Sequence, residues 1–453
     1  MVTFLTLPVE IQRRCVNYLD TAALKSTRLV CRALREITAE SLFGVATLQF
    51  TRQSADKFQG LLQHDVFGRY IRQIDFGSQW KDSEDPDEGC HSPSAPKWWK
   101  GRVAEWSSAR LPHLNKLVLD TAYACISKQC SALELALDTF VSLRTINSLT
   151  IKHLQDDCQA RRPDFAKLPT KPKKLHLLIT TWSDEASTDM DIEIRHRHAM
   201  FNVQLNATWL EPLQSRLTHL TLHCDTYWGI YPRWQPKNLK FPHLKSLAFG
   251  KWTIAYDWQI DFITSHGPTL EQLIFTRCPI MHASRLTRRQ EHNLWRERLP
   301  GTSRGGPPTT NHFSDLRWHT LLPQLASGLP KLTHFSMGRG PDDDTVSDAP
   351  SSWPGPGFYG QCVTGRTGFE HRYSQSATID WSRYIIFEGD GGPTEWQDAD
   401  LERGGYHAVA RGWGSSFHHE KDEDWKRGVQ FPDCLREDEE ALEDLLRTIR
   451  DRS

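Results

Sequence analysis

The sequence predicts an α/β protein in which three short helices precede an irregular stack of parallel strands. Two observations lead to this prediction. Apolar residues recur at helical spacing within residues 1–45, and a short phrase of alternating apolar residues then returns several times between residues 71 and 337. The chain has 453 residues, enough for roughly two to four domains and for a large buried core.

Composition narrows the class of protein. Hydrophobic residues make up 38% and charged residues 25% of the chain, as in a folded soluble protein. The formal net charge of -1 argues against nucleic acid or an anionic membrane as a partner. The amino terminus lacks a basic segment, and no apolar stretch reaches the roughly 18 residues of a membrane span. The ten cysteines are scattered, so we expect reduced thiols in an intracellular protein, cytoplasmic or nuclear.

The helices at the amino terminus have recognisable start signals. Pro8 fits a first helical turn, Glu10 suits the positive end of the helix dipole, and Asp20 can cap a second helix. The apolar residues at helical spacing are Ile11, Cys15, Tyr18 and Leu19 in the first helix, and Val30, Leu34 and Ile37 in the third. A domain of about 40 residues is marginal alone, so apolar surface should remain for a partner.

This stretch resembles the F-box family. The matching residues are Leu7-Pro8-x-Glu10-Ile11, Tyr18-Leu19-Asp20, Leu24 and Leu29-Val30-Cys31-Arg32. The resemblance implies a three-helix domain at residues 1–45 that binds an Skp-type adaptor, and through it a cullin scaffold and a RING subunit. The residues that we expect at the adaptor contact are Leu7, Pro8, Glu10, Ile11, Leu19, Val30, Arg32 and Leu34. The alternative is a small helical subdomain that packs on the rest of the protein.

The body of the chain repeats a phrase of the form apolar-x-x-apolar-x-apolar. Its copies are IRQIDF at Ile71, LNKLVL at Leu114, INSLTI at Ile146, LTHLTL at Leu217, LKSLAF at Leu244, LEQLIF at Leu270 and LTHFSM at Leu332, with PKKLHL at Pro172 a weaker one. Several copies follow a similar lead-in: LPHL, FPHL or LPKL. Neighbouring copies lie about 27 residues apart where they are closest, and the last two apolar positions alternate as in a strand with one buried face.

This pattern resembles the leucine-rich-repeat superfamily in a degenerate form. It implies an irregular solenoid with a parallel sheet at residues 46–340, interrupted by inserted loops. The inward pairs are Leu117 and Leu119, Leu220 and Leu222, and Leu273 and Phe275. The Asn or Cys that usually follows the last apolar position appears only at Cys278. An ordinary α/β domain with similar strands is the alternative.

Target binding is predicted on the strand positions that alternate with the inward pairs. These positions include Lys116, Asp120, His219, Thr221, His223, Gln272, Thr276 and His334. The strip is polar and carries little charge, which suits a protein target better than nucleic acid. The alternative is binding by the long loops, such as residues 77–106 with Trp98, Trp99 and Trp106, although these tryptophans are expected to pack on the solenoid.

Residues 341–453 form a loop-rich segment with two signals of structure. TIDWSRYIIFEGD predicts a strand before a glycine-rich turn, and the last residues predict a helix that helps to cap the solenoid. The residues on the apolar side of this helix are Leu435, Leu442, Leu445, Leu446 and Ile449.

The sequence contains no catalytic motif of the phosphate-loop, metalloprotease, hydrolase or kinase type. The pairs His196-x-His198 and His418-His419 lack further ligands at a persuasive spacing, so neither a metal nor another cofactor is predicted. We therefore expect a non-catalytic substrate-recognition subunit of a cullin–RING ubiquitin ligase, with an unidentified protein target. The alternative is an F-box scaffold or interaction protein that acts outside a ligase.

Overall fold

The computed structural model describes residues 4–49, 51–64, 67–77, 97–106, 111–120, 146–156, 172–180, 199–236, 238–287, 302–304, 309–338, 377–379, 383–388, 392–395 and 432–452. The chain forms two compact units. The N-terminal unit contains residues 1–153 and 160–175, and the C-terminal unit contains residues 154–159 and 176–453. The predicted division at residues 45 and 340 stays a prediction. Within the described ranges, no helix is both long and apolar enough to cross a bilayer.

The N-terminal unit is mixed α/β. Its helices are α1 (Val9–Val16), α2 (Thr21–Thr27), α3 (Arg32–Phe43), α4 (Arg52–Gln63) and α5 (Lys97–Trp106), with short 3-10 turns at Phe4–Thr6 and Gly68–Tyr70. Its strands are β1 (Val45–Gln49), β2 (Gln73–Gly77), β3 (Lys116–Asp120) and β4 (Ser148–Gln155). The next strand is β5 (Lys174–Thr180). Both β4 and β5 include residues assigned to each unit.

The first helical elements in the described part of the C-terminal unit are a π-helix at Met200–Leu210 and a 3-10 turn at Glu211–Leu213. Its strands are β6 (His219–Trp228), β7 (Ser246–Trp252), β8 (Gln272–Thr276), β9 (Ile280–Thr287), β10 (Thr302–Arg304), β11 (Thr309–Phe313), β12 (His334–Gly338), β13 (Tyr384–Glu388) and β14 (Gly392–Glu395). Its helices are α6 (Asp257–Thr264), α7 (Trp318–Gly328) and α8 (Leu435–Arg450).

The repeated phrases form parallel strands, as the sequence predicts. In the N-terminal unit β1, β2, β3 and β4 pair in parallel in that order, and in the C-terminal unit β6, β7, β8 and β12 do the same. The predicted inward residues are buried and stacked in register. One such stack is Leu220, Leu247, Leu273 and Phe335, and a second is Leu222, Phe249, Phe275 and Met337.

A shared hydrogen-bond pattern fixes the register where the parallel strands begin. The carbonyl of Thr218 accepts from the N–H groups of Lys245 (2.8 Å) and Ser246 (3.0 Å). The carbonyl of Lys245 in turn accepts from Glu271 and Gln272 at 2.8 Å each. The same arrangement recurs between the strands of the N-terminal unit. The starts of β2, β3, β4, β5, β7, β8 and β12 are therefore each joined to the preceding parallel strand by two hydrogen bonds.

The lead-ins LPHL, FPHL and LPKL are tight turns that deliver the chain into a strand. In Phe241–Leu244 the N–H of Leu244 donates to the carbonyl of Phe241 at 3.1 Å, and in Leu329–Leu332 the corresponding distance is 3.2 Å. The first and last residues of each turn are buried, whereas the two central ones are exposed. Proline is suited to the second position of such turns because its φ is fixed near the required value.

Cys278 links two repeats in the place where the sequence retains the ladder cysteine. Its thiol donates to the carbonyls of Phe249 (3.3 Å) and Thr276 (3.5 Å). Burial raises the pKa of the thiol to about 12, so it remains a neutral hydrogen-bond donor. Its role in the described contacts is packing and hydrogen bonding.

Part of the predicted repeat region adopts a different arrangement. Strands β10, β11, β9, β13 and β14 form a second sheet in that order, with antiparallel pairing of β10, β11 and β9. The strand predicted in TIDWSRYIIFEGD is present as β13, and it pairs in parallel with β9. Strands β9, β10 and β11 are therefore not parallel repeat strands, and β13 and β14, from residues 341–453, belong to this sheet.

The predicted C-terminal helix is present as α8 and packs against α7. Leu442, Leu445 and Ile449 are buried, whereas Leu435 is exposed because it is the first residue of the helix. The tryptophans of α5 also pack inward. Trp99 and Trp106 lie edge to face at 5.1 Å and are buried next to Phe76 and Phe58, while the side chain of Trp98 lies outside the described residues.

Leu220→Ala should lower the free energy of unfolding by about 2–5 kcal/mol, because it removes a fully packed side chain between neighbouring strands. Denaturant unfolding of the full chain measures this. Leu435→Ala is the matched control, since Leu435 is exposed, and it should change stability by about 0.5 kcal/mol or less. Equal effects of both substitutions would contradict the buried stack.

His266 should make the protein less stable in mild acid. Burial lowers its pKa, and its ring is held neutral with Nδ1 2.8 Å from the carbonyl of Phe262 and Nε2 accepting from Phe241 N–H at 3.4 Å. Above about pH 6.5 the ring is neutral in both states. Below it, only the unfolded chain gains the proton, so stability falls by up to about 1.4 kcal/mol per pH unit down to the folded pKa. Denaturant unfolding from pH 7.5 to 5 should show a shallower decline for His266→Gln. An equal dependence of stability on pH in the unmodified chain and in His266→Gln would contradict a role of His266 in acid sensitivity.

Candidate adaptor-binding surface

Local sequence explains where the three amino-terminal helices begin. Pro8 precedes α1 with φ -52° and ψ 142°, and Glu10 occupies the first turn. The carboxylate of Asp20 accepts from the N–H of Ala23 at 2.7 Å, which is the cap predicted for α2. Helix α3 starts after Cys31, which is in extended conformation.

The three helices share a very small core. It consists of Val16, Leu24 and Ile37, with Leu42 packed against it. Gln12 is also buried, and its Nε2 donates to the carbonyls of Leu7 (2.7 Å) and Leu5 (3.3 Å). The amide thereby holds the segment before α1 against the first helical turn.

Polar contacts join the outer helices of this domain. Glu40 of α3 pairs with Arg13 of α1 at 3.0 Å and also contacts Arg72. The hydroxyl of Ser41 donates to the side-chain oxygen of Asn17 at 2.9 Å. These contacts help to fix α1 and α3 relative to each other although little apolar area is buried.

Exposed apolar side chains are concentrated in this domain. Of the described large hydrophobic residues that are exposed, eight lie between residues 4 and 30, and three lie elsewhere. The eight are Phe4, Leu5, Val9, Ile11, Tyr18, Leu19, Leu29 and Val30. Tyr18 is 87%, Leu29 82% and Val30 71% exposed. A concentration of this kind marks a surface that another protein covers.

The structure exposes most of the predicted adaptor-contact residues. Pro8, Glu10, Ile11, Leu19, Val30 and Arg32 are exposed, and Leu7 is half-buried. Leu34 differs, since it is buried within the domain at 8% exposure. Ile11 and Cys15, on the predicted apolar face of α1, point to solvent, whereas the buried side of that helix carries Gln12 and Val16. Tyr18 and Leu19, predicted on the same face, lie beyond the end of the helix and are also exposed.

The helical domain passes into the first parallel strand through a single residue. α3 ends at Phe43, β1 begins at Val45, and the carbonyl of Gly44 accepts from the N–H groups of Arg72 (2.8 Å) and Gln73 (3.0 Å). A Cβ at residue 44 would lie 2.6 Å from the carbonyl oxygen of Glu40, so the close approach requires glycine. The joint between α3 and the strands is short and hydrogen-bonded.

The predicted target-binding strip is only partly accessible. Thr221, His223 and Thr276 are buried. Lys116, Asp120, His219, Gln272 and His334 are half-buried. His223 faces Gly250 of the next strand, where a Cβ would approach its ring within 1.8 Å. Asp120 pairs with the buried His153 at 2.8 Å. The accessible members thus lie mainly at strand starts.

The described residues contain one group of His, Cys and Asp side chains close enough to hold a metal ion: His319, Cys434 and Asp438. Asp438 is fully buried, and its carboxylate already contacts five donors. They are His319 N (2.9 Å), His319 Nδ1 (3.0 Å), Tyr384 Oη (2.8 Å), Arg383 Nε (3.3 Å) and Cys434 Sγ (3.4 Å). Burial raises the pKa of both the Tyr384 hydroxyl and the Cys434 thiol, which keeps them protonated as donors.

This group is better suited to holding α7 and α8 together than to binding a metal. Arg383 supplies a positive charge next to Asp438, so no cation is needed to balance the carboxylate. The backbone N–H of His319 belongs to the first turn of α7, and Asp438 therefore caps that helix from α8. Sequence reasoning missed this group. The histidine pairs at residues 196–198 and 418–419, at which no metal was predicted, lie outside the described residues.

Comparison with protein families matches residues 4–45 to the F-box domain. The matched residues coincide with α1, α2 and α3 and with the exposed apolar surface. An F-box domain implies binding to an Skp-type adaptor within ubiquitin ligase complexes. The search of curated proteins found no match to the chain.

Proposed function

We propose that this chain is a substrate-recognition subunit of an Skp–cullin–F-box type ubiquitin ligase. The F-box binds the adaptor, and the parallel strands form an irregular leucine-rich-repeat-like solenoid that binds a protein target. The cullin and RING subunits join through the adaptor. The chain itself is proposed to be non-catalytic and intracellular.

The concentration of exposed apolar side chains on the F-box is the observation that carries this proposal. Tyr18, Leu29 and Val30 are each more than two-thirds exposed, although the domain has few buried apolar residues to stabilise it. Covering this surface with an adaptor removes apolar area from water. The free energy of binding becomes more favourable by about 25 cal/mol for each Å² that is buried. The match of residues 4–45 to the F-box domain identifies the class of partner.

The joint between the F-box and β1 supports a role in positioning. Gly44 alone separates α3 from β1, and its carbonyl is hydrogen-bonded to the start of β2, so the connection between the helices and the first parallel strands of the N-terminal unit is short. Arg28 lies over the rings of Phe43 (5.1 Å) and Phe67 (5.3 Å), which adds a side-chain contact across the same joint. Holding a target near a transfer centre raises its effective concentration without a catalytic residue in this chain.

Parallel stacking supports the solenoid. The starts of β2, β3, β4, β5, β7, β8 and β12 are each tied to the preceding parallel strand by two N–H groups that share a carbonyl, and the inward residues complete stacks that no single repeat buries alone. Cys278 donates its thiol to a carbonyl of the preceding repeat, as a ladder residue would.

Affinity purification of the tagged chain from cells tests the ligase assignment. A substrate receptor should recover the adaptor together with cullin and RING subunits, and these should be lost when Ile11 and Val30 are both replaced by Asp. Recovery of the adaptor without cullin would favour the scaffold alternative, in which the F-box protein acts outside a ligase. Recovery of neither by the unmodified chain would contradict the proposal.

A further inference from the structure

The turns that lead into the strands of the C-terminal unit place a row of residues at one edge of the parallel sheet. The residue three positions before the strand start is Arg216 for β6, His243 for β7, Thr269 for β8 and Lys331 for β12. His243 and Lys331 are the third residues of the turns Phe241–Leu244 and Leu329–Leu332. The strand starts that follow these positions are paired in register, about 4.8 Å apart, so the four residues precede neighbouring strands of the sheet in the same order.

This row carries two cationic side chains, Arg216 and Lys331, and is open to solvent. Arg216, His243 and Lys331 are exposed, and among the described residues no carboxylate pairs with them. Thr269, the remaining member, is neutral. His243 and Lys331 are the third residues of the lead-ins FPHL and LPKL. The two central positions of these lead-ins are exposed and do not contribute to the core.

A second, half-exposed row runs beside the first. It consists of the strand-start residues His219, Ser246, Gln272 and His334, which are paired in register. The hydroxyl of Ser246 donates to the side-chain oxygen of Gln272 at 2.6 Å. The acidic residue between the two rows is Glu271, and Lys245 neutralises it at 2.7 Å. The edge therefore presents cations beside hydrogen-bonding groups, without a compensating negative charge in its described part.

We propose that this edge, here called the basic turn edge, binds an extended segment of the target protein that is rich in Asp and Glu. Four strands at this spacing span about 14 Å, the length of roughly four residues of extended chain. Arg216 and Lys331 lie at opposite ends of the row, so carboxylates several residues apart can meet both ends. The inference rests on the proposed function, because it names the chemistry of the target.

Fluorescence anisotropy with a labelled Glu-rich decapeptide tests the basic turn edge in the full chain. The peptide should bind, and a Gln-rich decapeptide of the same length should bind at least about tenfold more weakly. Raising NaCl from about 50 to 300 mM should weaken binding of the Glu-rich peptide several-fold, because exposed charges are screened. Arg216→Glu with Lys331→Glu should weaken it at least about tenfold, and the neutral pair Arg216→Gln with Lys331→Gln should weaken it less.

Lys57→Glu with Arg436→Glu is the matched control, since it changes the net charge equally at exposed helix positions outside the edge. This control should bind the peptide as the unmodified chain does. Absence of binding to the Glu-rich peptide, equal binding of the Gln-rich peptide, or equal loss in the control would overturn the inference. Adaptor capture is measured on the same samples. Failed peptide binding with intact adaptor capture counts against this inference alone, whereas lost adaptor capture by the unmodified chain counts against the proposed function.

Discussion

Replacing Ile11 and Val30 together by Asp is expected to abolish capture of an Skp-type adaptor while leaving the F-box folded. Ile11 is 41% exposed on α1, and Val30 lies just before α3. Neither belongs to the core of Val16, Leu24 and Ile37. A carboxylate buried at an apolar interface loses its hydration without gaining a partner, which costs several kcal/mol.

The effect on affinity should be large. If each substitution costs about 2 kcal/mol, as at a typical interface hot spot, the pair weakens binding about a thousandfold. Purified adaptor and surface plasmon resonance measure the change, and circular dichroism reports whether the helices persist. Val203→Asp is the matched control, because Val203 is an exposed apolar residue of the C-terminal unit.

Adaptor binding by the double variant within a few-fold of the unmodified chain would contradict this surface as the contact. Equal loss of adaptor binding in Val203→Asp would contradict the location of the adaptor contact on the helical domain. A third variant, Val16→Asp, should unfold the helical domain and so shows what loss by unfolding looks like, since Val16 is 1% exposed in its core.

The sequence predicts the helical domain well because its signals are local. Glu10 and Asp20 act within one turn of their own helix, and the structure places them as expected, whereas Pro8 lies immediately before α1 and not in its first turn. Which side chains are buried depends on contacts that extend beyond one helical turn. Gln12 and Leu34 are both buried, one through hydrogen bonds to backbone carbonyls and the other through the helix face that it shares with Ile37. Periodicity alone does not say which of two apolar faces a partner covers.

The parallel strands could also be predicted, because their alternating phrase repeats. The solvent accessibility of the residues that alternate with the inward pairs could not be predicted. Thr221, His223 and Thr276 alternate with inward leucines and yet are buried, since the second face of the strands is covered as well. The second sheet gave a weaker signal. The long gap between the phrases at Leu270 and Leu332 indicates an insertion without indicating that β9 pairs with β11 and β13.

The group around Asp438 was not predicted because its members are far apart in the sequence. His319 and Asp438 are separated by 119 positions. One signal was available: Asp438 lies on the same helical face as Leu442, Leu445 and Ile449, and a carboxylate on a buried face requires partners. Long-range pairing of this kind is visible only in the folded chain.

Asp438→Ala is expected to destabilise the C-terminal unit by about 3–5 kcal/mol. The substitution leaves the guanidinium of Arg383, which is 6% exposed, without its buried counter-charge, and it removes the acceptor of the His319 N–H at the start of α7. Tyr384 also loses its 2.8 Å acceptor. Removing one member of a buried ion pair costs more than the pair contributes, because the remaining charge stays desolvated.

Urea unfolding followed by tryptophan fluorescence measures this change, since Trp318 lies next to the group and donates to the carbonyl of Arg383 at 3.2 Å. Asp444→Ala is the matched control on the same helix. Its carboxylate pairs with Arg447 at 3.0 Å, but both side chains are exposed, so the loss should be at most about 0.5 kcal/mol. Asp438→Asn should fall between the two, because the amide oxygen still accepts hydrogen bonds while the charge is gone. Similar stabilities of Asp438→Ala and Asp444→Ala would show that the buried group does not hold α8 in place, and adaptor capture should be unchanged in all three variants.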